Sequence, residues 1–157
     1  MVDFRVGTGY DVHRFAPNRR LVLGGAEIPF AQGLSGHSDA DALIHAVMDA
    51  LLGAAALGDI GVLFPDSDER YRDADSAGLL RNVVLLLSEK GWRVGNIDAV
   101  IIAEKPLLAP YVPRMRENIA DICGVGVENV GVKATTEEGL GLAGQGIGAN
   151  CVCLIHR

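Results

Sequence analysis

DALIHAVMDALLGAA, residues 41–55, is the stretch on which the reading of this chain turns. At about 100° per residue, Leu43, Ile44, Val47, Met48, Leu51 and Ala55 occupy one broad apolar face. Ala42, Ala46, Ala50 and Gly53 occupy a second face of small residues. A solvated helix would show Lys, Arg and Glu on one side, and this one has no such side, so it reads as packed nearly all round. Asp41, His45 and Asp49 are left on a narrow stripe at i, i+4, i+8. Polar groups on an otherwise buried helix must be hydrogen-bonded or must coordinate something. The helix is expected over residues 38–57, with Ser38 as N-cap and Gly58 as its stop.

On either side of this helix the pattern changes. Residues 4–13 read as a strand ending in Asp11-Val12-His13, and residues 21–30 as a short hairpin around Gly24-Gly25. Residues 59–73 are rich in Asp and show no period, which suits a lid or a binding loop. A second helix is expected over 76–90, ended by Gly91, and a buried strand over 96–103. A third helix over 110–123 is entered through Pro110 and Pro113 and ended by Gly124. Residues 129–135 and 148–156 read as closing strands. Strands alternating with three helices give an α+β expectation: one sheet, three helices packed on one face, one domain over 1–157.

Composition narrows the function. The chain has 157 residues, enough for a core without staples. Its 14 Lys and Arg against 20 Asp and Glu give a net charge of −6, and no basic run exceeds Arg19-Arg20, so nucleic-acid binding has little support. An acidic protein that holds an anionic substrate needs metal ions or clustered backbone N–H groups. Twenty glycines, about twice ordinary usage, should mark tight turns and close backbone approaches. Cys123, Cys151 and Cys153 follow no disulfide spacing and read as packing residues in a reducing compartment. No apolar run approaches a membrane span, and residues 1–5 lack a signal-peptide pattern, so a cytoplasmic location without membrane contact is expected.

Several constellations could carry chemistry. Asp11 and His13 stand two apart in a strand, so they project from one face as a carboxylate and an imidazole suited to Zn²⁺ or a similar ion. His45 is the candidate third ligand, the alternative being a hydrogen-bonded core histidine. His37-Ser38 at the expected helix start reads as an anion site, or as a loop histidine beside a cap. Asp59, Asp66 and Asp68 in the acidic stretch could bind a polyol, with Gly61 permitting close approach, or could be solvated loop polarity. Lys133-Ala134-Thr135-Thr136-Glu137-Glu138 places a cation, two hydroxyls and two carboxylates after a strand, suited to phosphate oxygens and to Mg²⁺ or Mn²⁺, or simply a polar turn. Gly139 to Gly144 matches G-x-G-x-x-G, but no room remains for the helix, strand and acidic residue of a dinucleotide site, so the match is accidental.

The motifs G-Y-D-V-H-R-F at 9–15, G-H-S-D-A-D at 36–41, A-L-G-D-I-G at 56–61, L-F-P-D-S-D at 63–68 and K-A-T-T at 133–136, with the terminal glycine-rich run, span essentially the whole chain. In these the chain resembles the 2-C-methyl-D-erythritol 2,4-cyclodiphosphate synthase family of the non-mevalonate isoprenoid pathway. The resemblance implies a homotrimer with its sheets lining the central axis, helices outside, and active sites between neighbouring subunits. It implies a cytidine diphosphate substrate, 4-diphosphocytidyl-2-C-methyl-D-erythritol 2-phosphate, whose 2-phosphate attacks its own β-phosphorus so that CMP leaves and a cyclic diphosphate forms.

Carried over by position, Asp11, His13 and His45 would hold one Zn²⁺ per site, and Glu138 a Mg²⁺ or Mn²⁺ on the diphosphate. His37 and Thr136 would be catalytic, with Ser38 nearby. Asp59, Gly61 and Asp66 would hold the erythritol hydroxyls, with Ile60, Phe64, Pro65, Ser67 and Asp68 on the same wall. Ala103, Pro106, Leu107, Leu108 and Ala109, with Lys133, Thr135 and Thr136, would form the cytidine and phosphate pocket, and Leu142 and Gln145 would complete the substrate contacts. Asp41 and Asp49 fall outside the implied ligand set and would support or pack against it. Gln145 stands where the family usually has Arg, Ile147 where it often has Glu, Leu142 where an aromatic residue is common, and Leu107 where some members have Lys. Gln145 supplies no cation, which bears on isoprenoid diphosphate binding on the trimer axis. Two other readings of the same residues are a metal-dependent phosphohydrolase and a non-enzymatic, zinc-stabilised ligand-binding trimer.

Overall fold

The structure, a computed structural model, describes residues 3–65, 67–142 and 144–157. Its main sheet has five strands: β1 (Phe4–Ala16), β4 (Gly33–Leu34), β5 (Arg93–Ile102), β6 (Val130–Thr135) and β7 (Gly146–His156), in the order β4-β1-β7-β5-β6. β7 runs antiparallel to both β1 and β5, while β5 and β6 are parallel, so the sheet is mixed. A separate ribbon pairs β2 (Leu21–Leu23) with β3 (Ala26–Ile28). Its two-residue turn is Gly24-Gly25, both at positive φ, which is the geometry a tight hairpin demands. The helices are α1 (Ala42–Ala54), the single turn α2 (Ile60–Leu63), α3 (Ser76–Glu89) and α4 (Val112–Cys123).

The α+β expectation holds, with four differences. β1 continues three residues past His13, and a two-residue strand, β4, pairs with that extension. The acidic stretch 59–73 is not structureless: Asp59 caps α2, and Asp68 caps a 3₁₀ turn over Glu69–Tyr71. The first helix begins at Ala42 and not at Ser38. Its cap is Asp41, whose carboxylate accepts from the Ile44 N–H and also from the N–H groups of Gly24 and Gly25 at 2.9 and 2.7 Å. The hairpin turn supplies donors that Ser38 could not satisfy, so the carboxylate takes the cap position. It ends at Ala54, short of the expected 57.

α1 is buried almost all round, as its composition requires. Its small face lies directly on β1. A Cβ built at Gly7 would stand 2.0 Å from the Ala50 carbonyl oxygen, and one built at Gly9 the same distance from that of Ala46. Only glycine permits this approach. Gly7, Gly9, Asp11 and His13 alternate along one face of β1, so the row that admits the helix backbone continues into the two polar side chains. The core-facing residues of β5 and β7, including Ile97, Ile101, Ala149, Cys151 and Cys153, complete that layer. The opposite face leaves Phe4, Val6, Tyr10, Val12 and Val152 exposed.

Candidate functional site

Where α1 passes the end of the glycine row, His45 meets Asp11 and His13. The Asp11 carboxylate lies 2.8 Å from His13 Nε2 and 3.0 Å from His45 Nδ1, and the two ring nitrogens are 3.2 Å apart. His13 Nδ1 sits 2.7 Å from the Ser35 carbonyl, to which only an N–H can donate, so a neutral His13 has its lone pair on Nε2, facing the group. Nitrogen ligands of a tetrahedral zinc ion at about 2.0–2.1 Å stand roughly 3.3 Å apart. The triangle is a few tenths of an ångström tighter than that, and two imidazoles with one carboxylate are the donor set such an ion takes. Among the described residues these three form the one such cluster.

The electrostatics match. Burial pushes the Asp11 carboxyl up, but the hydrogen bonds and positive charge of His13 and His45 overcome it and hold it well below the usual carboxylate range. Burial lowers the His13 imidazole, and Asp11 beside it more than offsets this, leaving it raised. Each of the two favours the charged form of the other, so the site is one that favours positive charge.

The triad opens into a cavity of about 410 Å³ lined also by Gly36, His37, Ser38, Ile60, Gly61, Phe64 and Pro65. The expected metal ligands and much of the expected polyol wall therefore meet. Asp59 spends one carboxylate oxygen on the Val62 N–H, and Asp49 holds α2 through the Ile60 N–H at 2.8 Å. Asp68 is engaged by the Arg70 guanidinium, and His37 Nε2 lies 3.4 Å from the Asp68 carbonyl. Ser67 is exposed in the same segment, and Asp66 lies outside the described residues. The helix start expected at Ser38 is corrected: α1 begins four residues later, and the Asp41 carboxylate takes its Ile44 N–H, so His37 and Ser38 stand in the loop before the helix and not at its N-terminus. Burial raises that carboxyl to about 6 in spite of its three N–H donors.

The remaining expected residues lie elsewhere on this chain. Ala103, Pro106, Leu107, Leu108, Ala109, Thr135 and Thr136 line a second, smaller cavity of about 190 Å³. Thr136 donates to the Glu138 carboxylate, and Lys133 pairs with Asp98 on the neighbouring strand. Leu142 and Gln145 border a third hollow on the open face, where Arg14 donates to Gln145 at 3.2 Å. Asp11 is level with Ala149, Ile101 and Ala134 across the sheet, three strand spacings from the second cavity, or roughly 14 Å. The G-x-G-x-x-G run leads into β7 and not into a helix, as its dismissal required.

Ser76 and Asp39, behind the triad, escaped the sequence reading as site residues. His45 Nε2 is 3.1 Å from Ser38 Oγ and 3.0 Å from the hydroxyl of fully buried Ser76, which in turn donates to Asp39. Ser76 heads α3 behind its cap, Asp75, and a serine there carries no signal beyond ordinary capping.

No helix of the described residues is long and apolar enough to cross a membrane. A family model described as the YgbB family matches residues 4–156. The 2-C-methyl-D-erythritol 2,4-cyclodiphosphate synthase of Syntrophomonas wolfei is 59% identical, covering 98% of this chain and 99% of its own length. That of Thiobacillus denitrificans is 57% identical, covering 100% and 99%. Among solved structures, a CDP-bound 2C-methyl-D-erythritol-2,4-cyclodiphosphate synthase superposes with a TM-score of 0.89 at 36% identity, over 96% of this chain and 99% of that one. The bifunctional IspDF from Campylobacter jejuni superposes at 0.95 with 39% identity over 99% of this chain, which spans 43% of that longer protein. With agreement running from the first strand to the last, the chain belongs to the YgbB family.

Proposed function

We propose that the chain is a cyclodiphosphate synthase of the non-mevalonate isoprenoid pathway, working in the cytoplasm. It converts 4-diphosphocytidyl-2-C-methyl-D-erythritol 2-phosphate to 2-C-methyl-D-erythritol 2,4-cyclodiphosphate and CMP. The observation that carries this reading is the convergence of Asp11, His13 and His45 at the edge of a cavity walled by residues 36–38 and 60–65.

The reaction brings one phosphate anion onto another. An oxygen of the 2-phosphate forms a bond to the β-phosphorus, and the bond from that phosphorus to the oxygen bridging to the α-phosphate breaks, its electron pair leaving with CMP. The obstacles are like-charge repulsion and the need for in-line approach. Asp11, His13 and His45 would hold a divalent cation, Zn²⁺ in this proposal, which would supply positive charge to offset that repulsion, and Glu138 would hold a second, Mg²⁺ or Mn²⁺. His37 and Thr136 are the proposed catalytic residues, placed against the reacting phosphates, with Ser38 beside them. Asp59, Gly61 and Asp66 would grip the erythritol hydroxyls through close approach and hydrogen bonding. The cavity of Ala103–Ala109 and Thr135, with Lys133 at its edge, would take the cytidine end.

The two cavities lie three strand spacings apart across one sheet, so in this reading one chain does not bring both ends of such a substrate together. A homotrimer would, with the cavity of 103–109 from one subunit facing the triad of the next. The exposed apolar row of Phe4, Val6, Tyr10, Val12 and Val152 favours burial of the open face on the trimer axis.

The test compares wild type with His45→Ala for bound metal and for CMP release, with the product analysed by mass in ¹⁸O-labelled water. The expected result is about one zinc per chain and a cyclic product free of solvent oxygen for wild type, and loss of both metal and activity in the variant. Unchanged zinc and activity in His45→Ala would refute the site, and solvent oxygen in the product would refute the cyclisation.

A further inference from the structure

We infer that Ser76, backed by Asp39, is a positioning residue that fixes which nitrogen His45 offers to the metal. The inference rests on the metal-binding reading of the triad. Both ring nitrogens of His45 are engaged: Nδ1 points at Asp11 and His13, and Nε2 points at two hydroxyls. A neutral imidazole carries one proton, so it can offer a lone pair to a cation through Nδ1 only if Nε2 keeps the hydrogen.

The two hydroxyls do not act alike. Ser38 Oγ accepts from the Ala40 N–H at 3.2 Å, which leaves its own hydrogen free to point at Nε2 and to favour the wrong tautomer. The Ser76 hydrogen is committed to the Asp39 carboxylate. That carboxylate is itself pinned by the N–H groups of Ser76 at 3.1 Å and Asp41 at 3.2 Å. Ser76 can therefore present only lone pairs to His45, and Nε2 must donate. The carboxylate–hydroxyl–imidazole chain orients the ring and favours its Nδ1 lone pair, in the way outer partners of metal-bound histidines do.

The relay also ties the ligand to the cavity wall. Ser76 is the first residue after the 59–75 segment. The end of that segment is stitched to the loop of His37 and Asp39 through Asp39 N–H to the Ala74 carbonyl at 3.1 Å and Asp73 N–H to the His37 carbonyl at 2.7 Å. One hydroxyl thus joins the wall's anchor to a metal ligand.

The experiment uses the full chain as wild type, Ser76→Ala and Asp39→Ala. Zinc Kd is measured by chelator competition, and the His45 Nε2–H by ¹H–¹⁵N NMR on the zinc-loaded protein, with circular dichroism confirming that each variant is folded. The expected result is a Kd raised about 10- to 100-fold in both variants. In zinc-loaded wild type Nε2 should carry a proton shifted downfield by its hydrogen bond to Ser76, and both variants should move that resonance toward the position of an unbonded imidazole N–H. A purely structural role would lower the melting temperature without moving the resonance or the zinc Kd. Equal zinc affinity in all three proteins, or a zinc-loaded wild type with no proton on Nε2, overturns the inference while leaving the metal site standing. No zinc bound by wild type overturns the metal reading and this inference together. If a variant does not fold, the Nε2–H of zinc-loaded wild type and the other variant decide.

Discussion

Gly9→Ala should damage stability and metal binding together, because one contact sets both. A Cβ at position 9 would meet three backbone atoms of α1: the Ala46 carbonyl oxygen at 2.0 Å, the Ala50 nitrogen at 2.7 Å and the Ala46 carbonyl carbon at 3.0 Å. Real Cβ contacts essentially never fall below 3.0 Å. Helix backbone cannot rotate aside as a side chain can, so α1 must lift from β1 by about 1 Å. Overpacking of this kind costs about 1–3 kcal/mol, and a purely backbone clash belongs at the upper end. For a chain of this size about 3 kcal/mol lowers the melting temperature by roughly 6–12 °C. The same lift separates Ala46's neighbour His45 from Asp11, two residues along β1, where the present distance is 3.0 Å. Metal sites tolerate about 0.2 Å, so zinc affinity should fall at least about tenfold. Gly53→Ala on the same helix supplies the contrast. Its Cβ would meet only the Thr8 carbonyl oxygen, at an ordinary 3.8 Å, so it should gain about 0.5–1 kcal/mol from helix propensity. Urea and thermal unfolding at one protein concentration, with chelator competition for zinc, read all of these. A Gly9→Ala protein that melts and binds zinc like wild type would refute the claim that the glycine row sets the ligand spacing.

Asp41→Ala removes the α1 cap and strands the Gly24 and Gly25 N–H groups, so urea unfolding should show a loss of about 2–4 kcal/mol. A drop below about 1 kcal/mol would mean that the hairpin turn is not held through this carboxylate. Its folded pKa, about 6, lies above the ordinary 3.8, so the folded state takes up a proton first. The stability of wild type relative to Asp41→Asn should therefore rise as pH falls from above 6 to 3.8. In the metal-free protein the Asp11–His13 pair works between its two shifts. Asp11's contribution is present above 3.8 and is lost as pH falls through its depressed value. His13's is present below 6.5 and is lost as pH rises through its raised value. In the proposed metal site zinc competes with the His13 proton, so chelator competition should show affinity climbing as pH rises through that raised value, and a pH-independent affinity above 6.5 would contradict it.

What was legible in the sequence follows from what is local. The 3.6-residue period of 41–55, the two-residue period of Asp11 and His13 and the acidic stripe on α1 need no knowledge of the rest of the chain, and they met in space as read. The start of α1 was misread because Ser38 and Asp41 are both good caps by type. The choice between them was made by the Gly24-Gly25 turn, 16 residues from Asp41, whose N–H groups no periodicity announces. Ser76 shows the same limit at the site itself: Asp75-Ser76 is an ordinary helix entry until the placement of α3 turns the hydroxyl toward His45.

The separation of the two cavities was illegible for a different reason. β6 follows β5 in sequence and pairs with it in parallel, which carries Thr135 and Thr136 to the sheet edge away from β1, and strand order is not written in any one strand. Had β6 instead added beside β1, the Thr pair and the triad would share one cavity and a single chain could enclose a diphosphate. The observed order leaves each chain with half of what such a substrate needs. It makes the exposed apolar row on the other face more than a surface oddity, because burying that row against further copies is the simplest way to bring the halves together. Charging one position in the row, Val152→Glu, should then scatter the assembly and abolish CMP release while leaving zinc binding by the separated chain near its original affinity. Full activity in a chain shown by sedimentation to be monomeric would break the link between strand order and assembly.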